Sequence, residues 1–208
     1  MNTLKNPLLI VANGEFPSNE IAIKQIKECN SIIACDGAAN TLINRGYKPD
    51  IIIGDLDSIS SENKVYHSDK IIEVKDQNQN DLRKAIDYAI IRKIKDIRII
   101  GATGKREDHT IGNIFSLIKY HAVNIKIFTN TGFFTIINSN KKIRSFKGQQ
   151  VSIFSLDDTI QIESSNLKYN FNKKTLSDLF NGTLNESNGG FFELKISHGN
   201  LIIFQTYA

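Results

Sequence analysis

Up to about residue 131 the sequence alternates short β-branched runs with amphipathic stretches, a rhythm that βαβ units around a parallel sheet satisfy and few other folds do. The runs at 8–12, 31–35, 50–53, 70–74, 97–100 and 125–128 each read as a strand, and most end at Gly, Asp or Asn. Between them the clearest helix is 81–93. Leu82, Ala85, Ile86, Ala89 and Ile90 recur there at intervals of three and four, which leaves Arg83, Lys84 and Asp87 pointing outward. A second helix is expected over 108–121, with Ile111, Ile114, Phe115 and Ile118 on one stripe, and both helices are expected to cover the sheet.

Past residue 131 the pattern changes to runs at 133–138, 142–146, 150–156, 160–164, 191–196 and 201–206 with little helical period between them. That spacing suits a small antiparallel sandwich or barrel. The expected fold class is therefore α/β: an N-terminal parallel-sheet α/β domain over 1–135, then a small all-β sandwich domain over 136–208. A chain of 208 residues with 40% hydrophobic content can hold cores of this size without staples. Two cysteines, Cys29 and Cys35, have no companion pair and no His cluster, so both read as buried free thiols and not as a zinc site. The net charge of +4 is dispersed, which suits a small anionic substrate and is too weak for nucleic acid. Apolar runs such as 8–12 are far short of the roughly 20 residues of a membrane span, and the first residues lack a signal-peptide pattern, so no membrane association and a cytoplasmic location are expected.

In open parallel sheets ligands bind beyond the carboxyl ends of the strands. Here those positions are acidic: Asp36-Gly37-Ala38-Ala39-Asn40, then Gly54-Asp55-Leu56-Asp57-Ser58, then Asp76-Gln77-Asn78-Gln79-Asn80-Asp81, then Gly101-Ala102-Thr103-Gly104-Lys105-Arg106-Glu107-Asp108-His109. Any one of these Asp residues alone suits a turn or a helix cap. Several at one rim need a cation, and hard oxygen ligands with little His or Cys nearby select Mg2+. Asp55 and Asp57, two apart in an extended segment, project to the same side and can share a metal. The last segment supplies the opposite charge: its glycines admit a ligand close to the backbone, the following helix starts with free N–H groups, and Lys105 and Arg106 add donors for phosphate oxygens. It is not a Walker A loop, because only two residues separate Gly101 from Gly104 and Arg106 follows the Lys.

These four segments, with Pro49-Asp50, Lys84-Ala85, Thr110 and Asn113, resemble in order the motif series of the thiamine pyrophosphokinase family. The resemblance continues through Asn166-Leu167-Lys168-Tyr169, Gly182-Thr183-Leu184 and Ser187-Asn188, and so spans nearly the whole chain. It implies an ATP- and Mg2+-binding catalytic domain, a β-sandwich domain for thiamine binding and dimerisation, and a homodimer with active sites at the subunit interface. It also implies transfer of the β,γ-pyrophosphoryl unit of ATP to the thiamine hydroxyl, leaving AMP. Carried over by position, Asp55, Asp57 and Asp81 are the implied Mg2+ ligands and, with Arg106 and Asp108, the catalytic set. Asp36, Gln77, Gly104, Lys105, His109 and Asn113 fall on the nucleotide side, His109 as a hydrogen-bonding residue. Tyr169, Ser187 and Asn188 fall on the thiamine side. Three positions depart from the family pattern: Lys105 stands where Gly is common, Asn80 where Thr is usual, and Gly112 where Ala is common.

Two rival readings use the same acidic rim. A metal-dependent phosphohydrolase would use Asp108-His109 as an acid–His pair, but His67, His121 and His198 lie outside the acidic segments. A non-catalytic thiamine- or nucleotide-binding module would not need the full carboxylate and Arg set.

Overall fold

A computed structural model describes residues 3–208, and the chain divides into two compact units. The first holds the chain as far as Ser116 together with Ala122–Asn130, and the second holds Leu117–His121 and Thr131–Ala208.

The first unit is built on six parallel strands: β1 (Leu8–Val11), β2 (Ser31–Cys35), β3 (Ile51–Gly54), β4 (Ile71–Glu73), β5 (Asp96–Ile100) and β6 (Asn124–Phe128). Their order is β6-β5-β1-β2-β3-β4. All four residues of β1 are buried, as the centre of a sheet covered on both faces requires, and this is why its sequence is an unbroken apolar run. Helices α1 (Glu20–Glu28), α2 (Ala38–Asn44), α3 (Ser61–Tyr66), α4 (Asp81–Ile91) and α5 (Glu107–Ser116) lie between the strands in sequence. Three start on a side-chain cap: Asn19 accepts from Ile21 N–H, Ser60 from Asn63 N–H and Asn80 from Arg83 N–H.

Helix α4 buries Leu82, Ala85, Ile86 and Ala89 as its period predicts, but it also buries Lys84, which is only 6% exposed. The outward placement expected for Lys84 is therefore wrong. Its ammonium finds a carboxylate partner within the helix, so the long stem can be buried without stranding the charge. The second expected helix also differs. Its α-helical part stops at Ser116, whose hydroxyl donates to Asn113 C=O (2.8 Å), and the chain continues as a 3-10 turn over Leu117–Tyr120 with Leu117 and Tyr120 buried three apart. The stripe on α5 is only partly covered: Ile111 is 58% exposed, Ile114, Phe115 and Ile118 are half-buried, and the buried residue of the helix is Asn113.

The second unit contains two antiparallel sheets. One has the order β11-β9-β13-β7, with β7 at Gly132–Ile137, β9 at Gln150–Phe154, β11 at Asn185–Glu186 and β13 at Leu201–Thr206. The other has the order β10-β12-β8, with β8 at Lys141–Arg144, β10 at Ile162–Ser165 and β12 at Phe191–Ile196. Period-2 alternation on β12 sends Phe192 and Leu194 into a core shared with Ile153, Ile162, Leu201 and Ile203. Edge strand β8 buries only Ile143 and exposes Lys141, Lys142 and Arg144. The two-residue β11 escapes any periodic reading because it is too short to show a period. Among the described residues, no helix is long and apolar enough to cross a membrane.

Both cysteines are free, but only Cys35 is buried; Cys29 is half-buried, which corrects the expectation for that residue. Burial pushes the Cys29 thiol up to about 11. Burial also pushes Cys35 up, reinforced by the nearby Asp81 and Asp36 carboxylates. Both thiols are therefore protonated near neutral pH and poor nucleophiles. The native protein should release less than about one equivalent of thionitrobenzoate per chain within minutes in Ellman's reagent at pH 8, and both thiols should react once urea unfolds it.

Candidate functional site

The strand order of the first unit reverses direction between β1 and β5, the place where open α/β sheets form their ligand crevice. The chain leaving β1 keeps pairing with the chain leaving β5: Ala12 N–H donates to Ile100 C=O (2.9 Å), Gly14 N–H to Gly101 C=O (2.7 Å) and Glu15 N–H to Thr103 C=O (2.8 Å). Gly14 is required there, since a Cβ would lie 2.4 Å from the Gly101 oxygen. Lys105 crosses the same seam and donates from Nζ to the carbonyl (3.0 Å) and Oδ1 (3.2 Å) of Asn13. Beside the seam opens a cleft of about 740 Å³ lined by residues of all these strand ends and of α4 and α5.

One wall of the site is acidic. Asp36 follows β2 with φ +39°, a conformation that Asp tolerates better than most residues, and it is 2% exposed. Its Oδ2 accepts from Ser58 N–H and its Oδ1 from Ile59 N–H, both at 3.0 Å, which ties the loop after β3 to the end of β2. Asp36, Asp55 and Asp57 each bring an oxygen to within 4.8 Å of the others. Asp57 accepts from Ser58 Oγ (2.7 Å) and Asp55 from Gln77 Nε2 (3.3 Å). Asp81 lies outside that trio but next to it: the Cβ that Gly54 lacks would lie 2.8 Å from Asp36 Cβ and 3.2 Å from Asp81 Cγ. Lys84 Nζ donates to Asp81 Oδ1 at 2.9 Å. Burial raises the Asp36 carboxyl above the ordinary range, against the pull of its two backbone donors. The Ser58 hydroxyl, helped by the Asp36 carboxyl, lowers Asp57. Burial and hydrogen bonding thus push the two neighbouring carboxyls in opposite directions.

The opposite wall carries Gly104, Lys105, Arg106 and His109. Arg106 is held by Asp108 in a two-pronged pair, Nε to Oδ1 at 3.1 Å and Nη2 to Oδ2 at 2.6 Å, and the guanidinium keeps the Asp108 carboxyl down at about 2. Asp108, like Asp36 and Asp57, lies off the cleft lining. Asn113 is buried, and its Nδ2 donates to Ala102 C=O at 2.8 Å. Asn13, Gln79, Arg83 and Lys84 also line the cleft, and helical period alone does not single them out. The signal for Lys84 was a carboxylate one turn earlier at Asp81. Gln79 Oε1 and Arg83 Nε are buried on this lining without a hydrogen-bond partner, so the wall has polar capacity to spare for a polar ligand.

In the second unit Tyr169 is exposed and lines a hollow of about 370 Å³ with Phe171, Lys174, Thr183, Leu184 and Asn185. Ser187 is fully buried, and its hydroxyl is engaged by Ser145 Oγ (2.6 Å) and the Gly189 carbonyl (3.1 Å). Asn188 is exposed and donates its backbone N–H to Asn166 C=O. Of these three, only Tyr169 faces the hollow. Its backbone is clamped by buried Asn185, which accepts from Tyr169 N–H (3.1 Å) and donates to Tyr169 C=O (2.8 Å).

Two family models match the chain in sequence, the catalytic domain of thiamin pyrophosphokinase over residues 23–129 and its substrate-binding domain over residues 132–204. The chain belongs to the thiamin pyrophosphokinase family. Among curated relatives, thiamine pyrophosphokinase of Bacillus subtilis is 35% identical over 106 residues, 46% of each chain. Thiamine pyrophosphokinase 3 of rice is 42% identical over 82 residues, 35% of this chain and 31% of the relative. These matches therefore span less than half of each relative's length. Among solved structures, thiamin pyrophosphokinase from Geobacillus thermodenitrificans superposes with a TM-score of 0.81 at 21% identity, covering 97% of both chains. That from Candida albicans gives 0.80 at 20%, covering 96% of this chain and 89% of the other. At such identities the likeness is one of fold, and it covers both the parallel and the antiparallel parts.

Removing the buried ammonium from the acidic wall should be costly, because Asp81 would then face the other carboxylates alone. Lys84→Met should lower the free energy of unfolding by about 2 kcal/mol or more in urea titrations. Adding Asp81→Asn to that variant should recover most of the loss, while two independent, additive penalties would disprove the pairing.

Proposed function

We propose that the protein is a Mg2+-dependent thiamine pyrophosphokinase. In this reaction the hydroxyethyl oxygen of thiamine forms a bond to the β-phosphorus of ATP, the bond from that phosphorus to the oxygen bridging the α-phosphate breaks, the hydroxyl proton leaves, and the products are thiamine diphosphate and AMP. The observation that carries this reading is one crevice lined by the carboxylates of Asp55 and Asp81 and by the donors of Lys105 and Arg106, with Asp36 and Asp57 clustered against Asp55 beside it. Family membership supplies the substrate class.

The residues fit a hard divalent cation, since three clustered carboxylates with no His or Cys among them suit Mg2+. Asp55, Asp57 and Asp81 would hold it, with Asp36 adjoining. When bound, Mg2+ screens the charge of the polyphosphate. The chain's own residues do the rest. Lys105 and Arg106 offer donors to phosphate oxygens, Gln77 orients Asp55, and Asp108 keeps the Arg106 guanidinium fixed. Gly104 and His109 border the nucleotide side of the cleft, and Asn113 braces the loop behind it. Tyr169 provides an aromatic face for the thiamine cation, and motif position alone assigns Ser187 and Asn188 to the same side, Ser187 being buried with its hydroxyl taken by Ser145 and Gly189. The family resemblance carries with it a homodimer with active sites at the subunit interface, which would cover exposed apolar residues such as Phe180 (71%) and Leu184 (83%). Use of ATP favours the cytoplasm.

Incubation with ATP, thiamine and Mg2+ should yield AMP and thiamine diphosphate in equal amounts, and EDTA should stop the reaction. Asp57→Ala should lower kcat at least about a hundredfold while far-UV circular dichroism is unchanged. Phosphate release without thiamine, or an active Asp57→Ala variant, would overturn the assignment.

A further inference from the structure

A chain of side-chain amides runs from the start of α4 to the loop after β5. Asn80 caps α4 by accepting from Arg83 N–H at Oδ1 (3.1 Å), and its Nδ2 donates to Asn113 Oδ1 (2.8 Å). Asn113 Nδ2 then donates to Ala102 C=O (2.8 Å). Both ends of this chain are backbone groups with fixed roles, a donor at Arg83 and an acceptor at Ala102. Neither amide can therefore be turned round without setting donor against donor or acceptor against acceptor. Asn113 and Ala102 are buried and Asn80 is half-buried, so loss of a link is not simply made good by water.

At its far end the relay completes a set of three. The consecutive carbonyls of Gly101, Ala102 and Thr103 accept from Gly14 N–H, Asn113 Nδ2 and Glu15 N–H in turn. The first and third bonds tie the loop to the exit of β1, and the middle one ties it, through Asn113, to the residue that precedes Asp81. Capping alone does not call for Asn at position 80, because Ser or Asp would cap α4 equally well. A carboxylate at this position could cap but not donate, and a Ser hydroxyl, which can do both, is too short to reach Asn113.

We propose that Asn80, acting through Asn113, is a positioning residue that holds the 101–106 loop at a fixed distance from the start of α4, and so sets Lys105 and Arg106 against Asp81. The structural part stands on the hydrogen bonds alone, while its kinetic consequence rests on the proposed nucleotide site.

Asn80→Ser keeps a capping oxygen for Arg83 N–H but is too short to reach Asn113. Amide exchange followed by NMR should show Gly14 and Glu15, whose N–H groups report on the loop, exchanging about threefold to tenfold faster than in the wild type, with Ile10 in β1 unchanged. KM for ATP should rise by a similar factor, with kcat at saturating ATP within about twofold. Asn80→Asp, which also caps but cannot donate from that position, should give the same exchange pattern and serves if the Ser variant folds poorly. Unchanged exchange at Gly14 and Glu15, or an equal rise at Ile10, would overturn the relay. A wild-type protein that makes no AMP would count against the proposed reaction and leave the exchange result standing on its own.

Discussion

Like charge crowded at the ends of β2, β3 and the start of α4 is the condition to which the rest of the first unit answers. Each of the four carboxylates there is held by a different kind of donor. Two backbone N–H groups serve Asp36, a hydroxyl serves Asp57, an amide serves Asp55 and an ammonium serves Asp81. Gly54 leaves room for both Asp36 and Asp81, each of which would crowd a Cβ there, and Asp36 holds the loop after β3 by accepting from Ser58 and Ile59 N–H. Because these donors come from the loop after β3, the segment after β4 and helix α4, holding the charges also fixes those pieces of chain. The geometry of the acidic wall and the shape of the cleft are one arrangement.

The parallel part of the fold was readable because its central strands are buried on both faces and so appear as plain apolar runs, and because α4 keeps a strict helical period. The acidic positions were readable because the crevice of such a sheet has a fixed place. What escaped were contacts that no local pattern encodes. Lys84 was assigned outward by the helical period and lies inward because of Asp81, a partner that the wheel does not weigh. Ile111 falls on the apolar stripe by period yet is exposed, while Asn113, which the period does not weigh, is buried with a hydrogen bond to Ala102.

In the second unit the alternating strands were legible and their short partners were not. Asn185 lies in a strand of two residues and fixes the backbone of Tyr169 from sixteen positions away, a long-range contact with no periodic trace. Ser187 illustrates the converse. Its motif position suggests a ligand contact, while its hydroxyl is spent inside the fold on Ser145 and Gly189.

Strand β8 closes one side of its sheet with Lys141, Lys142 and Arg144 facing out, and Lys142 lies with its ammonium 3.5 Å from the ring centre of Phe191 on the neighbouring strand. An open sheet margin invites any passing extended segment to add itself by backbone pairing. Here a newcomer would have to set its own chain beside a row of cations and would meet repulsion from any identical margin on another molecule. The two-sheet unit thereby carries its own protection against fibrous self-association, independent of whatever covers its apolar residues elsewhere.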